Sequence, residues 1–131
     1  MKRYIFLPLL LILAFPAGAD GIDDAAAAMD AGDHSRALLL LRPLARDGNA
    51  DAQYLLGSLF SSGGTGVAQD GKEAVKWLER AAGQGHHQAA NTLGMMYVSG
   101  LGVKIDETEA KKWFALAAKI AEANDKSSDC E

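Results

Sequence analysis

The sequence is short of several things that would decide a class of function. It has one cysteine, Cys130, so no internal disulfide can brace the fold, and a clustered Cys/His zinc set is absent. After residue 3 it has no run of Lys and Arg. Nucleic acid is therefore not an expected partner, because binding a phosphate backbone needs clustered cations to displace counterions. The three histidines are His34, His86 and His87. None pairs with another at helical spacing, and sequence neighbours do not share a helix face, so no metal or other cofactor is expected. His86 and His87 are taken as solvated turn residues beside Gly85. No serine lies in a Gly-x-Ser-x-Gly context. The segment Ser62-Gly63-Gly64-Thr65-Gly66 lacks the preceding strand and the Gly-Lys-Ser/Thr ending of a phosphate loop. Without a nucleophile–base arrangement, an enzyme is not the expected class.

Long apolar runs are also missing. The longest, Tyr4–Phe15, holds 12 residues and is interrupted by Pro8, against about 20 for a membrane-spanning helix. Lys2 and Arg3 precede it, and the small-x-small triplet Ala17-Gly18-Ala19 follows, with Asp20 next. That order is the pattern of a cleaved secretory signal peptide. Residues 1–19 are assigned to it, residues 20–123 to one helical repeat domain, and residues 124–131 to a flexible tail. The expected location is periplasmic or secreted, with no membrane span once the signal is removed. The whole chain has 13 Lys+Arg and 17 Asp+Glu. The leader takes two cations and no acids with it, which leaves a net charge of −6.

What the sequence does have is self-similarity. Ala52-Gln53-Tyr54-Leu55-Leu56-Gly57-Ser58-Leu59-Phe60 recurs as Ala89-Ala90-Asn91-Thr92-Leu93-Gly94-Met95-Met96-Tyr97, at a shift of 37. Gly66-Val67, Asp70, Ala74, Trp77 and Ala81-Ala82 recur as Gly102-Val103, Asp106, Ala110, Trp113 and Ala117-Ala118, at a shift of 36. The missing residue falls in the glycine loop, where length changes are tolerated. A degenerate earlier copy places Ala37, Leu41, Ala45 and Gly48 against Ala74, Leu78, Ala82 and Gly85. A repeat of this length made of two apolar stripes at i, i+4 and i+7/i+8 is a helix pair that must stack on its neighbours.

The helices are placed at 22–31, 34–47, 50–62, 70–84, 87–99 and 106–122. Asp70 and Asp106 are N-caps with Glu73 and Glu109 in the first turn, and Gly48 and Gly85 are left-handed stops. Pro43 should kink its helix. Gly57 and Gly94, recurring mid-helix, imply close approach of the paired helix. Trp77 and Trp113 are the rings expected against them.

Taken together, Ala52, Gln53, Leu56, Gly57, Phe60, Gly64, Gly66, Val67, Asp70, Lys72, Ala74, Trp77, Ala81 and Ala82 resemble the Sel1-like repeat family. The second copy matches through Ala89, Leu93, Gly94, Tyr97, Gly100, Gly102, Val103, Asp106, Ala110, Trp113, Ala117 and Ala118. Ala31 to Ala45 resembles the tetratricopeptide-like lead-in of such proteins. The resemblance implies an all-α fold, a short right-handed solenoid of about three antiparallel helix pairs. It also implies a protein or peptide partner on the inner face, lined by the first helix of each pair. The candidate partner-binding residues are those off the core stripe: Tyr54, Ser58, Asn91 and Met95. An adaptor, assembly factor or inhibitor is the leading expectation. A hydrolase acting on a cell-wall or lactam substrate is the alternative, implied by exported Sel1-like proteins with cysteine-paired repeats. A structural subunit of an envelope assembly is the third.

Overall fold

The computed structural model describes residues 19–129, and among these the chain forms six α-helices: α1 (Ala19–Asp30), α2 (His34–Arg46), α3 (Ala50–Ser62), α4 (Gly71–Gly83), α5 (His87–Ser99) and α6 (Glu107–Ser128). The signal-peptide assignment and Cys130 fall outside the described residues, except that Ala19 opens α1. The helices pack as successive pairs, α1 with α2, α3 with α4 and α5 with α6, in an all-α solenoid.

Two kinds of turn punctuate the chain, and each has a local cause. The tight turn joins α1 to α2, α2 to α3, and α4 to α5. A glycine with positive φ (Gly32, Gly48, Gly85) donates its N–H back to Met29, Ala45 and Ala82, and the next residue donates to Ala28, Leu44 and Ala81. This paired closure needs a left-handed residue, which glycine supplies without a Cβ clash. The next residue then caps the new helix: Asp33 accepts from the Arg36 N–H, Asn49 from the Ala52 N–H, and His86 from the Ala89 N–H. His86 is therefore no free turn residue. Its Nδ1 holds the first turn of α5, its Nε2 lies 3.2 Å from Asp51, and its side chain is 11% exposed. The i-to-i+3 spacing from His86 to Ala89 fits a cap, but histidine is not among the usual capping types.

The longer glycine turns join α3 to α4 and α5 to α6. In both, the capping aspartate closes the loop through its own backbone: Asp70 N–H donates to the Phe60 carbonyl and Asp106 N–H to that of Tyr97. Each carboxylate then accepts from two N–H groups of the new helix, Lys72 and Glu73 in one case and Thr108 and Glu109 in the other. The same closure is made although the aspartate follows the aromatic by ten residues in the first copy and nine in the second. Asp70→Ala should lower unfolding stability by about 1 kcal/mol, measurable by urea titration followed by circular dichroism.

The extra residue in the first of these loops has a packing reason. The loop 63–70 rests on the start of α2, where His34 Nδ1 accepts from the Thr65 N–H and the Ser35 hydroxyl donates to the Thr65 carbonyl. The loop 100–106 rests on the start of α4 at Gly71, which has no side chain at all. The same contact between neighbouring repeats is made with an imidazole in one case and bare backbone in the other. The longer loop is the one that must clear the ring.

The core runs along the stack, with Leu41, Leu56, Leu59, Leu78, Leu93 and Met96 nearly or wholly sealed from solvent. Burying each such side chain is worth about 1.5–3 kcal/mol. The repeated glycines do mark close approach, but not to the expected rings. A Cβ at Gly57 would meet Leu78, and a Cβ at Gly94 would meet the ring of Phe114. The tryptophans stand one residue earlier on α4 and α6, so the helical turn of about 100° per residue rotates them past the glycine. Trp77 is 6% exposed and its indole N–H donates to Glu73 at 3.0 Å. In the second copy Glu109 is paired with Lys112 instead, and the indole N–H of Trp113 is buried without a partner. That hydrogen bond to Glu109 holds the Lys112 ammonium above the usual lysine range, and burial, followed by Glu79, Glu109 and Asp106, raises the Tyr97 phenol above its ordinary value.

Two boundaries differ from expectation. α1 begins at Ala19 rather than at 22, whereas α2 spans His34–Arg46 with Pro43 inside it, within a residue of its placement. α6 does not stop at 122 but extends to Ser128, across most of the segment assigned to a tail. No Gly or Pro interrupts residues 107–128, and the hydroxyls of Ser127 and Ser128 donate back to the Asn124 carbonyl. Residues 121–129 are all solvent-exposed, so this last stretch continues the packed part of α6 through the helix formers Ala121, Glu122 and Ala123 and these serine back-bonds, without packing of its own.

Candidate functional site

The curvature of the stack decides which surface is concave. The first helices touch one another directly, α1 against α3 and α3 against α5, more than any two of the second helices α2, α4 and α6 do. The inner side is therefore that of α3 and α5, and the outer helices splay.

Of the four residues expected on this side, Asn91 and Met95 adjoin, Tyr54 packs between repeats and Ser58 stands apart, half-buried. Asn91 and Met95 stand one turn apart on α5, with the Asn91 amide 3.8 Å from the Met95 sulfur. Tyr54 is half-buried and stacks on the His86 ring, centroids 4.6 Å apart with planes at 23°. It thereby joins one repeat to the next. Ser58 is half-buried on α3 and its carbonyl receives the Ser62 hydroxyl.

Met95 opens onto a groove of about 360 Å³ between the ends of α3, α5 and α6. Ser61, Thr92, Met96, Val98, Ser99, Leu101 and Phe114 line the rest of it. Met95 and Val98 are 58% and 54% exposed, and Leu101 is exposed as well. Apolar side chains left in water this way are unremarkable singly, but a contiguous set around a cavity marks an interaction surface. Methionine suits such a surface because its unbranched thioether adapts to irregular shapes.

Val98, Leu101 and Phe114 were not among the residues expected from the sequence. The repeat alignment carried the signal. Met95 stands where the previous repeat has Ser58, and Val98 where it has Ser61. Ser61 is 5% exposed beneath the following repeat, whereas Val98 is open. Polar residues have been exchanged for apolar ones at slots that face out. Among the described residues, no three His, Cys, Asp or Glu side chains gather closely enough to hold a metal ion, and no helix is long and apolar enough to cross a membrane.

The comparisons with known proteins agree with this architecture. The chain is 31% identical to a Sel1 repeat protein from Oxalobacter formigenes whose crystal structure superposes with a TM-score of 0.66, covering 78% of this chain and 40% of that one. It is 32% identical to c5321, described as a protective antigen present in uropathogenic Escherichia coli strains displaying an SLR fold, with a TM-score of 0.58 over 75% of this chain and 25% of that one. Among curated proteins it is 37% identical over 88 residues to DAP3-binding cell death enhancer 1 of Mus musculus, 67% of this chain and 17% of that protein. It is 33% identical over 70 residues to chitin synthase regulatory factor 3 of Schizosaccharomyces pombe, 53% of this chain and 8% of that protein. The chain thus spans less than a fifth of the length of the curated relatives it matches. The Sel1 repeat pattern matches residues 50–86 and 87–120, which are α3 with α4 and α5 with α6, and the chain belongs to the Sel1 repeat family.

Proposed function

We propose that the protein is an exported interaction module that holds an apolar segment of a partner protein in the groove around Met95. The observation that carries this reading is the exposed Met95–Val98–Leu101 surface beside Phe114. Sel1 repeats generally serve as protein–protein interaction modules, and one relative is named for binding another protein. That name describes the relative alone. A groove of this volume accommodates a few side chains, which fits a short segment with two or three apolar anchors. Asn91, beside Met95, supplies a polar group for the backbone of that segment. Export is supported by Lys2, Arg3, the run Tyr4–Phe15 and the triplet Ala17-Gly18-Ala19, and amino-terminal sequencing of the protein from the producing cell should begin at Asp20. A role as adaptor, assembly factor or inhibitor uses the same groove.

Peptide display on phage tests the groove. Selection against the purified protein should enrich sequences with apolar residues at recurring spacing. Met95→Asp places a charge where Met95 is already exposed, so it should leave stability within about 0.5 kcal/mol and abolish binding of the enriched peptides. Peptides that bind the wild type and Met95→Asp equally would contradict the assignment, as would a selection that enriches nothing.

A further inference from the structure

A second cavity lies on the outer side, where α2 and α4 splay over α3. It has a volume of about 460 Å³ and is floored by Leu56, Phe60 and Trp77. Its rim carries Arg42 and Arg46 from α2 and Lys76 and Arg80 from α4. Two carboxylates, Asp70 and Glu73, share the cleft, but both are engaged within the protein. Asp70 caps α4 through two N–H groups, and the two oxygens of Glu73 take the Trp77 indole and Lys76. Among the described residues, Arg42, Arg46 and Arg80 form no ion pair. Arg80 instead lies 4.9 Å from the centre of the Trp77 ring, with Lys76 at 5.2 Å on the same ring. Four cations thus face two committed anions in a chain whose overall charge is −4.

The repeat does not impose this charge. At the equivalent slots between α4 and α6 stand Glu79, Gly83, Lys112 and Leu116. One cation remains there out of four, on the same scaffold. Like charges gathered without partners oppose folding, so a set found in only one of two equivalent clefts points to something outside the chain that neutralises it.

We infer that this outer cleft binds an acidic peptide segment, with carboxylates taken by Arg42, Arg46 and Arg80 and an apolar side chain resting on Phe60 and Trp77. Guanidinium groups donate paired hydrogen bonds to carboxylates, and the Trp77 ring beneath Arg80 gives that group a cation–π support. A long polyanion fits less well. The cations are confined to the rim of one cavity and the rest of the surface is acidic on balance, so a nucleic acid or an anionic bilayer would meet repulsion on either side. This cleft shares no residue with the groove at Met95, and the two sites stand or fall separately.

The test is fluorescence anisotropy of the purified full chain with a labelled Glu-rich peptide containing one Leu, its Gln counterpart, a single-stranded oligonucleotide, and vesicles of phosphatidylglycerol. The Glu peptide should bind, weaken with added salt, and outcompete the Gln peptide. The double variant R42Q/R46Q leaves Trp77 and its hydrogen bond untouched. It should bind about tenfold more weakly or worse, as expected for losing charge-assisted hydrogen bonds to a carboxylate, while K119Q on α6 binds as the wild type does. R42E/R46E should in turn prefer a Lys-rich peptide. The proposal is overturned if the Glu and Gln peptides bind alike, if folded R42Q/R46Q binds the Glu peptide undiminished, or if the oligonucleotide or vesicles bind more tightly than the peptide.

Discussion

Replacing Trp77 with alanine is expected to remove about 3–5 kcal/mol of unfolding free energy. The ring is almost fully buried between α3 and α4, its N–H donates to Glu73, and Lys76 and Arg80 lie over its face. Truncation therefore opens a cavity, frees a carboxylate and strips two cations of their ring at once. Against a total of roughly 5–15 kcal/mol for a domain of this size, the variant should be largely unfolded at modest urea concentration. The second tryptophan provides the contrast. Trp113 is half-exposed and its buried N–H has no partner, so Trp113→Ala should cost less. Trp113→Phe should be close to neutral, because a polar group buried without a partner carries its own penalty. Trp77→Phe lacks that compensation and should be the more damaging of the two phenylalanine variants. Urea denaturation followed by far-ultraviolet circular dichroism ranks all four.

Gly71→Ala and Gly83→Ala should change stability in opposite directions, although both glycines lie in α4. A Cβ at Gly71 would collide with the backbone carbonyl of Gly102, in the loop of the next repeat. Backbone held by its own turn cannot swing aside as a long side chain can, so the substitution should cost about 1–3 kcal/mol. At Gly83 nothing lies within reach of an added methyl group, and φ is not positive. Alanine there should stabilise by about 0.5–1 kcal/mol, chiefly by restricting the unfolded chain. Thermal unfolding of the two variants beside the wild type gives both signs in one experiment. Equal destabilisation would mean that Gly71 is not the bearing point between repeats.

The contrast between these two glycines shows which parts of the fold were legible in the sequence. Helix number, pairing and most ends could be read, because they rest on local chemistry: Asp70 and Asp106 cap, Gly48 and Gly85 stop, and the Leu-Gly pairs repeat. Contacts that depend on rotation about a helix axis could not. The glycines at 57 and 94 announced a close neighbour, but whether residue 77 or 78 supplied it depended on about 100° of helical turn. The setting of His86 is hidden from the sequence for a different reason. Its environment is made by Asp51 and Tyr54, more than thirty residues earlier, and only the stacking of α5 on α3 brings them together. The end of α6 lies beyond the reach of apolar periodicity, which fades after Ile120, because a helix already nucleated extends without packing where neither Gly nor Pro stops it.

The candidate site was legible to a smaller extent. Met95 could be named because it lies off the core stripe. Val98, Leu101 and Phe114 required knowing which slots the next repeat would cover, and only comparison with Ser61 makes that visible. Tyr54 lies off the core stripe of its helix as Met95 does, and is drawn into the stack by His86. A residue off the stripe of one helix can still be on the stripe of the solenoid. The cations of the outer cleft lie on two helices separated by α3 in the chain, so no linear run of Lys and Arg could announce them.

The most direct test of the central claim, that this chain holds another protein in the groove at Met95, is site-specific photo-crosslinking in the cells that make it. A photoreactive phenylalanine analogue placed at position 95, and at the exposed position 122 on α6 as a control, is activated by light before lysis. The predicted result is a discrete protein adduct from position 95 that is absent from position 122 and lost when Val98 is also changed to Asp. Adducts that are identical from both positions, or that persist in the Val98→Asp background, would contradict it.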